Sequence, residues 1–85
     1  MKYNIIILPL ADHYVVVAKD KSTGETKQVF NINESGAEML SLLNEGHETG
    51  DVARTLADKY NVDIDIVSSD VNAFVRGLAT KGIIY

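Results

Sequence analysis

Eighty-five residues, 46% of them hydrophobic and 24% charged, are enough for one small hydrophobic core and too few for a second. The single proline and the apolar-to-charged balance exclude a disordered chain, and the lack of cysteine excludes disulfides and thiolate metal sites, which leaves a cytosolic location as the expectation. Eight basic against twelve acidic residues give a formal charge of −4, a sign that disfavours nucleic acid, since neutralised phosphates supply most of the affinity in such complexes.

The apolar run Ile5-Ile6-Ile7-Leu8 is broken by Pro9 and followed by Asp12 and His13, so Asn4 to Leu10 reads as a strand and not as a secretory signal. No stretch approaches the roughly 20 apolar residues of a membrane span. His13 to Lys19 is a second strand, with Tyr14, Val16 and Ala18 on one face and Val15 and Val17 on the other. Both faces are apolar, so at least part of each is expected to be covered. The polar stretch Asp20 to Glu25, with Gly24 for a positive φ, turns the chain into a third strand, Thr26 to Ile32. Gln28, Phe30 and Ile32 form its core side; Lys27, Val29 and Asn31 face the other way.

Asn33 is the expected N-cap of a helix from Glu34 to about Asn44, with Ala37, Met39, Leu40 and Leu43 buried and Gly46 as its stop. Thr49 is expected to cap a second helix reaching about Tyr60, whose stripe is Val52, Ala53, Leu56, Ala57 and Tyr60. The third helix runs from its N-cap Asp63 to Lys81 and Gly82. Val67, Val71, Phe74, Val75 and Leu78 make one apolar stripe along it, with Val67, Phe74 and Leu78 expected in the core and Val71 and Val75 at its boundary. Strands followed by helices define an α+β fold, a single domain over residues 1–85, in which a compact three-helix unit packs on a small antiparallel sheet.

No catalytic constellation emerges. His13 and His47 are the only histidines and lie apart, no acidic cluster joins them at metal-ligand spacing, and neither GxGxxG nor GK[ST] occurs. Gly77, inside the last helix, reads first as a site of close packing and second as a shallow place where another backbone approaches. What remains is a binding surface. The free edge of the third strand, beside the last helix, offers a groove in which an extended peptide adds as a further strand.

Three segments carry a resemblance. Ile32-Asn33-Glu34-Ser35-Gly36-Ala37-Glu38-Met39-Leu40 resembles the LNxTgaeIL segment of PqqD-like proteins, with Ile32 in place of the usual leucine and Ser35 in place of a frequent threonine. Asp51-Val52-Ala53, Leu56-Ala57, Tyr60 and Val62 are similar to that family's second helix, and Val67, Asp70-Val71, Phe74, Leu78 and Gly82-Ile83-Ile84 to its DVxxFlxxLxxxGli ending. The resemblance implies a winged helix-turn-helix fold with no catalytic residue, no metal and no cofactor. It implies a peptide chaperone that binds the leader of a ribosomally made precursor, as in pyrroloquinoline quinone synthesis, and presents it to a modifying enzyme, often a radical SAM protein. By position the resemblance assigns the peptide to Lys27, Gln28, Val29, Phe30 and Asn31 on the strand and to Val71, Asn72, Val75, Arg76 and Ala79 across the groove. A monomer or weak homodimer is expected, with no membrane partner. The alternative is a winged-helix DNA-binding regulator, against which Asp63, Asp65 and Asp70 on the last helix stand, with only Arg76 and Lys81 to oppose them.

Overall fold

A computed structural model describes residues 1–84. Strands β1 (Tyr3–Leu10), β2 (His13–Asp20) and β3 (Thr26–Ile32) precede helices α1 (Glu34–Asn44), α2 (Thr49–Tyr60) and α3 (Ile64–Thr80), the winged helix-turn-helix order of an α+β fold. The sheet is antiparallel in the order β1-β2-β3, so β1 and β3 are its edges. Ile6 pairs with Val17 and Val17 with Val29; Ile7 pairs with Val16 and Val16 with Phe30. Because side chains alternate along a strand, the first row faces away from the helices and the second toward them.

The inward face is fully covered at its centre and half-buried at the edge strands. Val16 and Ala18 are 0% exposed and pack with Leu40, Leu78 and Ile83, with Ile5, Ile7, Phe30 and Ile32 around them. The outward face has no layer of helices over it: Val15 and Val17 on the central strand are half-buried, so part of that face is covered as expected, while Ile6, Leu8 and Val29 stay 39–61% exposed. No helix lies there, because all three helices follow β3 and pack on one side. A second cluster holds the helices to one another through Met39, Val52, Leu56, Val67 and Val71.

The helix ends follow from local chemistry. The Asn33 side chain accepts the Gly36 N–H at 2.8 Å and the Asp63 side chain accepts that of Asp65 at 2.8 Å, so both expected N-caps are present. The cap of α2 is Glu48, which makes no side-chain cap bond, and Thr49 is the first helical residue. Gly82, at φ 76°, turns the chain after α3. Its N–H donates to Ala79 O and that of Ile83 to Leu78 O, the paired bonds of a Schellman ending, which carries Ile83 back to be fully buried under the sheet. Tyr60 leaves the buried stripe assigned to it: it is 53% exposed, with its hydroxyl on the Glu38 carboxylate. Its position at the last turn of α2 sets the ring beside Glu34, Ser35 and Glu38 on the first turns of α1, at the rim of the helical cluster and not inside it.

Candidate functional site: the edge of β3 and the adjoining face of α3

One side of β3 is bonded to β2 and the other to nothing among the described residues. In an antiparallel ladder alternate residues direct their N–H and C=O groups to opposite neighbours, so half of the β3 backbone groups are aimed at the free edge. That edge is bordered by α3. The Gln28 Nε2 donates to Lys81 O at 2.5 Å, and the Lys81 Nζ lies 4.8 Å from the centre of the Phe30 ring. At the other end Phe74 and Ile32 meet over Gly36, where an added Cβ would lie 3.2 Å from Phe74 Cε1 and 3.4 Å from Ile32 Cβ. β3 and α3 therefore run in opposite senses, Gln28 by Lys81 and Ile32 by Phe74.

With about 3.6 residues per turn, the face of α3 that contains Phe74 and Lys81 also contains Ile66, Asp70 and Gly77. Gly77 sits one turn from each of Phe74 and Lys81, and a Cβ built on it would meet no atom within 4 Å. The packing reading of this glycine is thus not sustained. It leaves a dip in the helix surface beside the free strand.

The structure separates the residues assigned to the site from sequence. Lys27, Val29 and Asn31 are exposed on β3, with Gln28 and Phe30 half-buried toward α3. Across the groove the assigned residues do not share one face. Val71 is 1% exposed, packed between α1 and α2 in the helical cluster, and offers no side chain to a ligand. Val75 lies on another side of α3, in a depression of about 470 Å³ shared with Met1, Leu43 and His47. Asn72, Arg76 and Ala79 are exposed, but helical spacing places them opposite Phe74, Gly77 and Lys81, away from β3. The other flank of α3, with Phe74 and Lys81, carries Gly77 and the exposed Ile66, a bare helix position and an apolar one on the same face.

Nothing else gathers reactive groups. The exposed His13 Nδ1 lies 3.1 Å from Asp12 and the His47 Nε2 3.6 Å from Glu45, and no described group of three or more His, Cys, Asp or Glu is placed to hold a metal ion. No described helix is long and apolar enough to cross a membrane. The most connected ionisable group is Glu38 on α1, bonded by the Tyr60 hydroxyl and, at 2.9 Å, by the Lys59 ammonium. These bonds, Tyr60 first and Lys59 next, hold its carboxyl below the usual carboxylate range.

Residues 10–84 match the family model described as Coenzyme PQQ synthesis protein D (PqqD). The chain belongs to the PqqD family. Comparison with the curated proteins finds no match. Among solved structures, this PqqD-family chain is similar to TbiB1 in complex with the TbiA(beta) leader peptide, with a TM-score of 0.71 and 27% identity over 98% of this chain and 93% of that one. It is also similar to lasso peptide synthetase B1 complexed with the leader peptide, with a TM-score of 0.66 and 26% identity over 96% and 95% of the two chains. Both relatives span nearly the whole PqqD-family chain, so the sheet edge and the helix beside it lie within the matched region.

Proposed function

We propose that this chain is a non-catalytic leader-peptide recognition element. The leader segment of a ribosomally synthesised precursor adds as a strand to β3, is walled by Phe74, Gly77 and Lys81 of α3, and is presented to a separate modifying enzyme in the cytosol. The observation that carries this reading is a strand edge with unpaired backbone groups lying beside a helix face with a bare glycine, in a fold whose solved relatives hold leader peptides. Main-chain hydrogen bonds would supply affinity and the helix face would choose among side chains.

Calorimetric titration with the leader segment of the precursor encoded beside this chain tests it. Binding with a Kd in the micromolar range, about −8 kcal/mol, is expected. No heat at tens of micromolar overturns the reading. Arg76→Ala and Asn72→Ala, on the far side of α3, should change the affinity less than twofold, whereas a bulky side chain at Gly77 should weaken it at least tenfold. A DNA-reading role is disfavoured by the helix itself: Asp63, Asp65 and Asp70 are exposed along it and the Lys81 ammonium already lies over Phe30.

A further inference from the structure

The groove beside β3 does not stop at the end of the strand. Where Ile32 passes into α1, the face of α3 continues from Phe74 through Asp70 to Ile66 at successive i−4 steps. It runs into a cavity of about 180 Å³ at the junction of the three helices. Met39, Leu56 and Val67, all buried in the helical cluster, form its floor. Tyr60, Val62 and Ile66 flank it, and they remain 53%, 41% and 59% exposed although each is large and apolar. With Ile64 at 44%, half of the eight exposed large hydrophobic residues of the described chain fall in these seven positions. A concentration of this kind marks an interaction site more than scattered surface apolar residues do. The volume falls short of the roughly 300–1,000 Å³ of small-molecule sites and suits one side chain. Its rim is acidic, with Glu38 and Asp70 lining the opening and Glu34 beside the adjoining depression. Glu38 is already engaged by Lys59 and Tyr60, while Asp70 and Glu34 make no ion pair among the described residues.

We propose that this cavity is a side-chain subsite for the same leader peptide, and that it takes one apolar residue next to a lysine or arginine whose charge meets Asp70 and Glu34. The proposal rests on the strand-addition reading and adds a second anchor beyond the strand. Its distance along the peptide follows from geometry. Asp70 and Ile66 lie four and eight positions before Phe74, about 6 and 12 Å along a helix rising about 1.5 Å per residue. An extended peptide covers about 3.3 Å per residue, so the anchor falls about two to four residues past the peptide residue opposite Ile32. That direction is N-terminal for a peptide antiparallel to β3 and C-terminal for a parallel one.

The test is an aspartate scan of the synthetic leader segment of the neighbouring precursor, titrated into the unaltered chain and into Ile66→Asp. Ile66 is exposed, so the variant is expected to fold, and its amide spectrum checks this. In the unaltered chain, aspartate at one position two to four residues past the strand segment should weaken binding at least tenfold. Ile66→Asp should cost a similar factor and make that peptide position indifferent, while Asp70→Lys should lower affinity severalfold and reverse the preference for a neighbouring basic residue. Full affinity of a peptide trimmed to its strand segment, or additive losses in the Ile66→Asp variant, overturns the subsite while strand addition stands. Absence of any binding to the unaltered chain overturns both.

Discussion

β1 and β3 are the two edges of one sheet, yet they are finished differently. β1 carries Pro9, which has no N–H to offer, and exposes Leu8 and Leu10 on its outward side. It turns into β2 through Ala11 at φ 49°, a left-handed conformation unfavourable for an alanine. β3 has no proline, is anchored to the end of α3 through Gln28 and Lys81, and lies beside the bare surface at Gly77. Both strands bury their inner residues in the same cluster. The difference therefore lies in the edges and not in the core: one is blunted, the other is left open and given a wall.

The comparison breaks most severely if the common support is removed. Leu40, 0% exposed beneath the sheet, should cost about 2–5 kcal/mol on Leu40→Ala, a large part of the roughly 5–15 kcal/mol available to a small domain, and both edges should lose protection together in hydrogen exchange followed during urea unfolding. Next in size is an attack on the open edge alone. N-methylation of alternate amides in the bound leader segment should, in one register, remove about two hydrogen bonds of about 1 kcal/mol each and weaken binding roughly thirtyfold, while the other register has little effect in the same titration. Equal losses in both registers would show that the peptide does not pair with β3.

On the blunted side Ala11→Gly should stabilise the fold by up to about 1 kcal/mol in thermal or urea denaturation, since glycine relieves the positive φ but loses more chain entropy. Leader affinity should not move. The smallest effect concerns Glu38 on α1, at the α1 end of the open groove, which also lines a depression shared with Ile7 of β1. The Glu38 carboxyl is held below its ordinary value of 4.5, so its bonds contribute fully above that pH and the contribution is lost as pH falls through the depressed value. The side chain is 23% exposed, which limits the effect to at most about 1 kcal/mol. The acid limb of the stability curve should be shallower in Glu38→Gln.

The elements were legible because their punctuation is local: Asn33 and Asp63 cap, Gly46 and Gly82 stop, and the period changes from two to 3.6 after Ile32. The inward side of β3 was equally readable from Gln28, Phe30 and Ile32. Which flank of α3 lies beside that strand was not. A helical stripe has two flanks, one with Ile66, Asp70 and Gly77 and one with Asn72, Arg76 and Ala79, and no local preference says beside which of them a strand some fifty residues earlier will lie. Val71 shows the same limit: its place in the stripe was clear, but its full burial depends on α1 and α2 closing over it. Tyr60 kept the helical spacing of a core residue, but its hydroxyl pairs with the Glu38 carboxylate at the rim of the helical cluster and leaves the ring half exposed.

The empty position at Gly77 has a further consequence. Where a groove is lined by side chains, rotamer changes let its width follow the ligand; where it is lined by main chain, no such adjustment exists. The stretch between Phe74 and Lys81 is backbone at Gly77, so in the proposed groove its depth would stay the same on filling and selection there would fall on the size of the incoming residue. The adaptable part is the exposed Lys81 at one end, while Phe74 at the other is held by both core clusters, a fixed gauge with one movable stop.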